Sequence, residues 1–387
     1  MGSHARLNRQ SRVIPPASDH VEREPVETRT LPRPAIRRFA VVIVMVGVVV
    51  QLALSAYYLG VGHSPRPRHL PVGFVAPSSR QAAIAAQINA GGSFAARRYP
   101  GAAALTRAIR SKALYGGVDV TMQRPHLYVA SAAGLAAASA IQTAFTRVLE
   151  QETSKQVAAL VRRRRPVPPS VVQALTSPPS VTDLAPLPAA DWTGGSIGLL
   201  VQALALGGSV ASLGLGRLLP MTRRSIRRGV AHTLTLVLYA VFSAAAVLWA
   251  ASWFDIVPGS AAGRLFVDFL LLSLALTVST AGFVAILGPL GALAGMVYFT
   301  LGLIISGSSI LPQFLPAFGR TIGQALPTGS GVTAIRDSLY FRAASISGPV
   351  LVLGLYAGLG LITVLVTNTR PNESRRIAEL RLPGSGG

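Results

Sequence analysis

Asp268 and Arg264 stand four residues apart, one helical face shared between them, in a chain that otherwise keeps charge out of its apolar runs. Ionisable side chains inside a membrane mark ion pathways and proton relays. Asp268 lies near the start of its run, so a second reading stands beside that one: an interfacial ion pair whose side chains snorkel to the headgroups. The central positions of the runs hold no charge, which turns any energy coupling away from protons and toward a separate source. Other chemistry leaves no trace. There is no GxxxxGK[ST] loop to cradle nucleotide phosphates, no HExxH and no GxSxG elbow. The six histidines show no ligand spacing, and His232 reads as interfacial. Cysteine is absent, which excludes disulfides, thiol chemistry and Cys-ligated metals. No catalytic residue, cofactor or metal is expected, and the chain does not read as an enzyme.

Composition gives the frame that must hold these residues. Half of the 387 residues are hydrophobic and 13% are charged, where a soluble domain carries about a quarter. Apolar runs long enough to span recur along the chain. A net charge of +22 could signal nucleic acid, but the basic residues flank apolar segments and no nucleic-acid module is present. Of 36 basic residues all but Lys112 and Lys155 are arginine.

Residues 1–38 are polar and aperiodic and read as a disordered cytoplasmic tail. The run 39–60 follows Arg33, Arg37 and Arg38, ends near Tyr57 and Tyr58, and reads as a first span rather than a cleaved signal. Five more spans are expected at 196–215, 230–254, 264–287, 290–310 and 347–367. The loop after the first of these holds Arg217, Arg223, Arg224, Arg227 and Arg228. The tail 368–387 holds four more arginines, and the loop 255–263 holds Asp255 and no base. Short basic loops stay inside. The chain thus reads as an α-helical polytopic membrane protein of six transmembrane helices in the bacterial cell membrane, both termini cytoplasmic. A small mixed α/β extracytoplasmic domain, 61–193, lies between the first and second, and 194–367 forms a five-helix domain.

Inside 61–193, "LPVGFVAP" (70–77) reads as a buried strand and "AALTRAIRSKAL" as a helix with Leu105, Ile109 and Leu114 along one side. "GGVDVTM" and "HLYVASA" read as paired strands, followed by an Ala-rich helix over about 133–162 and an extended return through "PSVTDLAPLP". The outer loop 311–346 has its own pattern. Phe314, Phe318, Ile322 and Leu326 recur every four residues, and Val332, Ile335 and Leu339 line a second helix, with Arg336 off that face. "PTGSG" between them predicts a turn at Pro327–Gly331. Such a hairpin reads either as an outer gate, with Arg336 toward an exit path or an anionic headgroup, or as a clamp fixing the last span. Small residues at Gly208/Ser212, Gly291/Gly295 and Gly354/Gly358 allow close helix packing within a subunit or in a homodimer.

One span, an outer domain, five spans and an amphipathic outer hairpin resemble type-2 ABC permeases. More narrowly, Leu326, Pro327 and Gly329 followed by Arg336, Tyr340 and Phe341 resemble the phage-infection-protein-like (Pip/YhgE-like) branch. The resemblance implies the membrane subunit of an ATP-driven exporter of lipid-like or amphiphilic compounds, with a separate cytoplasmic ATPase as partner. It equally allows a non-transporting scaffold or secretion-accessory protein. The arginines 223, 224, 227 and 228 are then either orientation signals or the ATPase docking surface. The residues Pro327, Gly329, Gly331, Arg336, Tyr340 and Phe341 would form the outer gate, and membrane lipids are expected partners.

Overall fold

In a computed structural model the chain is mostly helical and is described over residues 33–62, 65–121, 125–162, 166, 168–169, 179–218 and 226–369. Both tails lie outside these residues, apart from 33–38. The first helix, α1, is Arg33–Gly62 and starts ahead of the apolar run. Pro34 sits in its first turn, where a missing N–H costs nothing. Val41, Met45, Val49 and Leu52 of α1 are exposed.

The α/β domain holds β1 (Leu70–Val75), α2 (Ser78–Asn89), β2 (Phe94–Arg98), α3 (Ala102–Arg110), β3 (Gly116–Asp119), β4 (His126–Val129), α4 (Leu135–Arg162) and β5 (Ser180–Asp183). The strands form one sheet in the order β2-β1-β3-β4-β5. Pairing is parallel except between β3 and β4, which are antiparallel with Gly116 opposite Val129. Leu70, Val72 and Phe74 of β1, Leu105 and Ile109 of α3 and Ile141 and Phe145 of α4 all belong to one buried core, with Leu105 against the Gly73 face of β1. Leu114 lies past the end of α3 yet is fully buried with them.

The remaining helices are α5 (Ser196–Leu218), α6 (Ile226–Ser252), α7 (Ala262–Leu287), α8 (Leu293–Ile305), α9 (Ala317–Ala325), α10 (Pro327–Tyr340) and α11 (Ser347–Thr369). Among the described residues four helical stretches are long and apolar enough to cross a membrane: Ser196–Gly216, Ile226–Ser252, Gly259–Gly302 and Ser347–Thr369. The third is not straight. Tyr298 Oη donates to Ser279 Oγ at 3.1 Å, although one continuous helix would hold these residues about 28 Å apart. The chain reverses at Gly288, whose φ of 62° glycine adopts without penalty, and α8 returns along α7.

α7 is the centre of this bundle. It packs against α5, α6, α10 and α11, and it is buried on every side from Ala275 to Gly282. Small residues bring the helices close. Gly295 meets Ser209, Gly208 meets Thr277, and Ser212 Oγ donates to the Thr277 carbonyl at 2.8 Å. Two of the three small-residue pairs therefore serve packing within the chain, whereas Gly354 and Gly358 of α11 face open space.

Candidate functional site

The segment 311–341 belongs to two cores. Leu311, Phe314 and Phe341 complete the core of the α/β domain, while Val332 and Ile335 of the same segment pack into the helix bundle. Its local structure differs from the expected turn. Pro327 is the first residue of α10, and "PTGSG" is that helix's first turn. The break falls on Leu326 alone, extended at φ −81° and ψ 148°. Proline disfavours helix in the residue before it and favours it at its own position. Gly329 and Gly331 are there for proximity: a Cβ on Gly329 would run into the Gly323 carbonyl, and one on Gly331 into Leu272.

The apolar stripe is also turned around. α9 buries Gly319 and Gly323 and exposes Phe318 and Ile322, so its greasy face points out of the protein. Phe314 sits outside α9, in a short 3-10 turn. Arg336, expected off the buried face, is 6% exposed. It donates from Nη1 to the Gly307 carbonyl at 2.6 Å and from Nη2 to the Ser308 carbonyl at 3.2 Å, tying α10 to the chain leaving α8.

Asp337 beside it forms an ion pair with Lys112, an interaction that joins the bundle to the α/β domain. Both partners are largely buried, and the Lys112 ammonium lies 5.8 Å from the centre of the Phe341 ring. Lys112 follows the end of α3 in the left-handed region, φ 58°, with its N–H closing on the Ile109 carbonyl at 2.9 Å. Glycine is usual there, and another residue costs about 1–2 kcal/mol. Burial pulls the Lys112 ammonium below its ordinary pKa against the attraction of Asp337. Burial pushes the nearby Tyr115 hydroxyl up, and Asp337 pushes it further.

Around these groups opens a cleft of about 340 Å³, lined among others by Lys112, Tyr115, Gln313, Arg320, Arg336 and Asp337. Its lining carries three cations and one carboxylate. Sequence reasoning passed over Lys112. The signal that could have found it is rarity, one of two lysines in an arginine-rich chain, placed just after a helix end.

Of the other expected gate residues, Tyr340 is half-buried with its hydroxyl unpartnered, and Phe341 is buried under Lys112. Arg264 is exposed, while Asp268 is buried on α7 near Ser338 with Oδ2 unpartnered; the Arg264 charge still acts on Asp268 without a direct salt bridge. Arg223 and Arg224 lie outside the described residues, and Arg227 and Arg228 are exposed in the first turn of α6. Among the described residues no group of three or more His, Asp or Glu could hold a metal ion. No protein-family model, curated protein or solved structure matches the chain.

Proposed function

We propose that the protein is the membrane permease of an ATP-driven exporter of amphiphilic compounds, working with a separate cytoplasmic ATPase. The observation that carries this reading is the sharing of 311–341 between two cores, with Lys112–Asp337 as the link. A membrane-depth helix pair continuous with a soluble domain is a means of joining events in the bundle to events outside it. The resemblance of Leu326–Phe341 to type-2 ABC permeases supports the same reading.

In this reading α1 and the two antiparallel legs α7 and α8 join α5, α6 and α11 as six spans. Both termini are inside and the α/β domain is outside. Trp249, Trp253 and Trp192 are exposed near the ends of α6 and α5 that this orientation puts at the outer interface, where aromatic residues collect. The orientation is tested by cysteine substitution, since the chain has none of its own. Ser79→Cys should react with an impermeant thiol reagent from outside and Ser374→Cys only from inside. Reaction of both from one side overturns the topology. The exporter reading is tested by purifying the chain with its ATPase and measuring ATP-dependent movement of a fluorescent amphiphile in proteoliposomes.

A second reading, a non-transporting scaffold, has its own support. Gly323 abuts the Ile305 carbonyl and Gly329 abuts Gly323, which leaves the α9–α10 pair little room to move. No co-purifying ATPase and no transport would favour it.

A further inference from the structure

The cleft between the α/β domain and α10 holds a charge imbalance that the protein does not resolve by itself. Lys112 takes the one carboxylate of the lining, Asp337. Arg336 gives its hydrogen bonds to two carbonyls and must share the charge of Asp337 with Lys112, so the lining keeps more positive than negative charge. Asp191, the other acid whose charge reaches it, accepts from the backbone N–H of Ser196 at 3.3 Å. Burying two cations against one carboxylate is costly, and a guanidinium cannot escape by losing its proton. The guanidinium has further N–H groups beyond the two engaged, and its residue lines the cleft. Arg320, exposed, adds a third positive charge at the rim. Ser111, Gln313 and Thr333 supply neutral polar groups to the same wall. About 340 Å³ is room for a small polar group with its oxygens, and the lower end of the range for small-molecule sites.

We propose that this cleft binds a phosphate group, as a monoester or diester, through Arg336, Arg320 and the Lys112–Asp337 pair. The phosphate neutralises the Arg336 guanidinium, accepts from Arg320 at the mouth and shares the Lys112 ammonium with Asp337. Paired oxygens suit guanidinium geometry, which favours phosphate over a spherical anion such as chloride. The group comes either on an anionic lipid of the surrounding leaflet or as a soluble phosphate. Taken as the head of the exported cargo it rests on the exporter reading; taken as a binding site it does not.

The test uses the full chain in an uncharged detergent at low salt, with melting temperature as the readout. The probes are short-chain phosphatidylglycerol, diacylglycerol of the same chain length, inorganic phosphate, and sodium chloride at matched ionic strength. Phosphatidylglycerol is expected to raise the melting temperature saturably, as a ligand of the folded state does, and diacylglycerol is not. Arg320→Gln, an exposed change that leaves the buried pairs intact, should raise the half-saturating concentration about fivefold. If inorganic phosphate saturates the same shift and competes with the lipid, the source is soluble phosphate. If only the lipid acts, the source is a headgroup. A shift no larger than that of sodium chloride, or one unchanged in both Arg320→Gln and Arg320→Glu, overturns the site. Proteoliposome transport is read separately. Phosphate binding without transport overturns the exporter reading and leaves the site; transport without phosphate binding does the reverse.

Discussion

α10 and α11 follow one another in the chain and solve opposite problems. α10 is rich in Gly, Ser and Thr, carries Arg336 and Asp337, and is buried over nearly its whole length. α11 is almost wholly apolar, yet Leu351, Leu355, Leu359 and Ile362 lie on its exposed side. In water the polar helix would be outside and the apolar one inside. Beside lipid, apolar side chains cost nothing on the outside, whereas polar groups must find protein partners. Small residues then let polar helices approach closely enough to supply those partners. The contrast also separates two uses of glycine: Gly329 touches a backbone carbonyl, while Gly354 touches nothing.

The sharpest way to break this comparison is to put the same side chain at both glycines. Gly329→Leu should abolish recovery of folded, monodisperse protein, because the obstacle is backbone that cannot rotate away. Gly354→Leu should be recovered at the level of the parent protein. Equal yields would mean that α9 and α10 are not in contact. The next largest effect belongs to the link between the domain and the bundle. Lys112→Met leaves Asp337 buried without its partner and should cost about 3–5 kcal/mol in thermal or denaturant unfolding. The double change Lys112→Met, Asp337→Leu should recover most of that. If the double variant is as unstable as the single one, the loss lies in packing rather than in an orphaned charge.

Alkaline pH gives a smaller effect. The Tyr115 hydroxyl is held above its ordinary value by burial, so the unfolded chain sheds that proton first, from about pH 10. The unfolded state then binds fewer protons, and stability falls as pH rises, by at most about 1.4 kcal/mol per unit. Tyr115→Phe should show a shallower decline in melting temperature between pH 9 and 11. Identical slopes would mean an exposed hydroxyl. Smallest is the outward face of α11: Leu355→Ala should change stability by less than about 0.5 kcal/mol, where Leu353→Ala, fully buried, should cost about 2–5. Similar losses at both would mean that the outward face is covered by protein.

The same inversion explains what could be read in the sequence. Strand β1, helix α3, the β3–β4 pair and α4 were legible because a water-facing domain separates apolar from polar at periods of 2 and 3.6. α2 and β2 were not. α2 buries only Ile84 and Ile88, and "FAARR" of β2 alternates nothing. Four membrane-length stretches were legible from length and apolar composition, and the expected break between 287 and 290 falls at the α7–α8 reversal. The hairpin departed from expectation at the turn glycines and at the α9 stripe, where rules drawn from water-soluble folds did not apply. In the structure the glycines mark close contact, and the α9 stripe points outward while Val332 and Ile335 of α10 are buried. Lys112 and Asp337 are 225 residues apart, so their meeting is legible to no local pattern.

That separation bears on how the molecule is made. Leu70 to Asp183 can close into a sheet as soon as β5 has emerged, well before most of the helical bundle exists. The domain's hydrophobic floor nevertheless stays incomplete until Leu311, Phe314 and Phe341 arrive, and Lys112 waits for Asp337. A long-range contact of this kind forms late and is entropically slow. The ion pair therefore forms only after both regions of the chain have been made. Chains that stall before residue 337, or that thread a helix the wrong way, keep an open apolar floor and an unpaired lysine, the surface a quality-control protease can find.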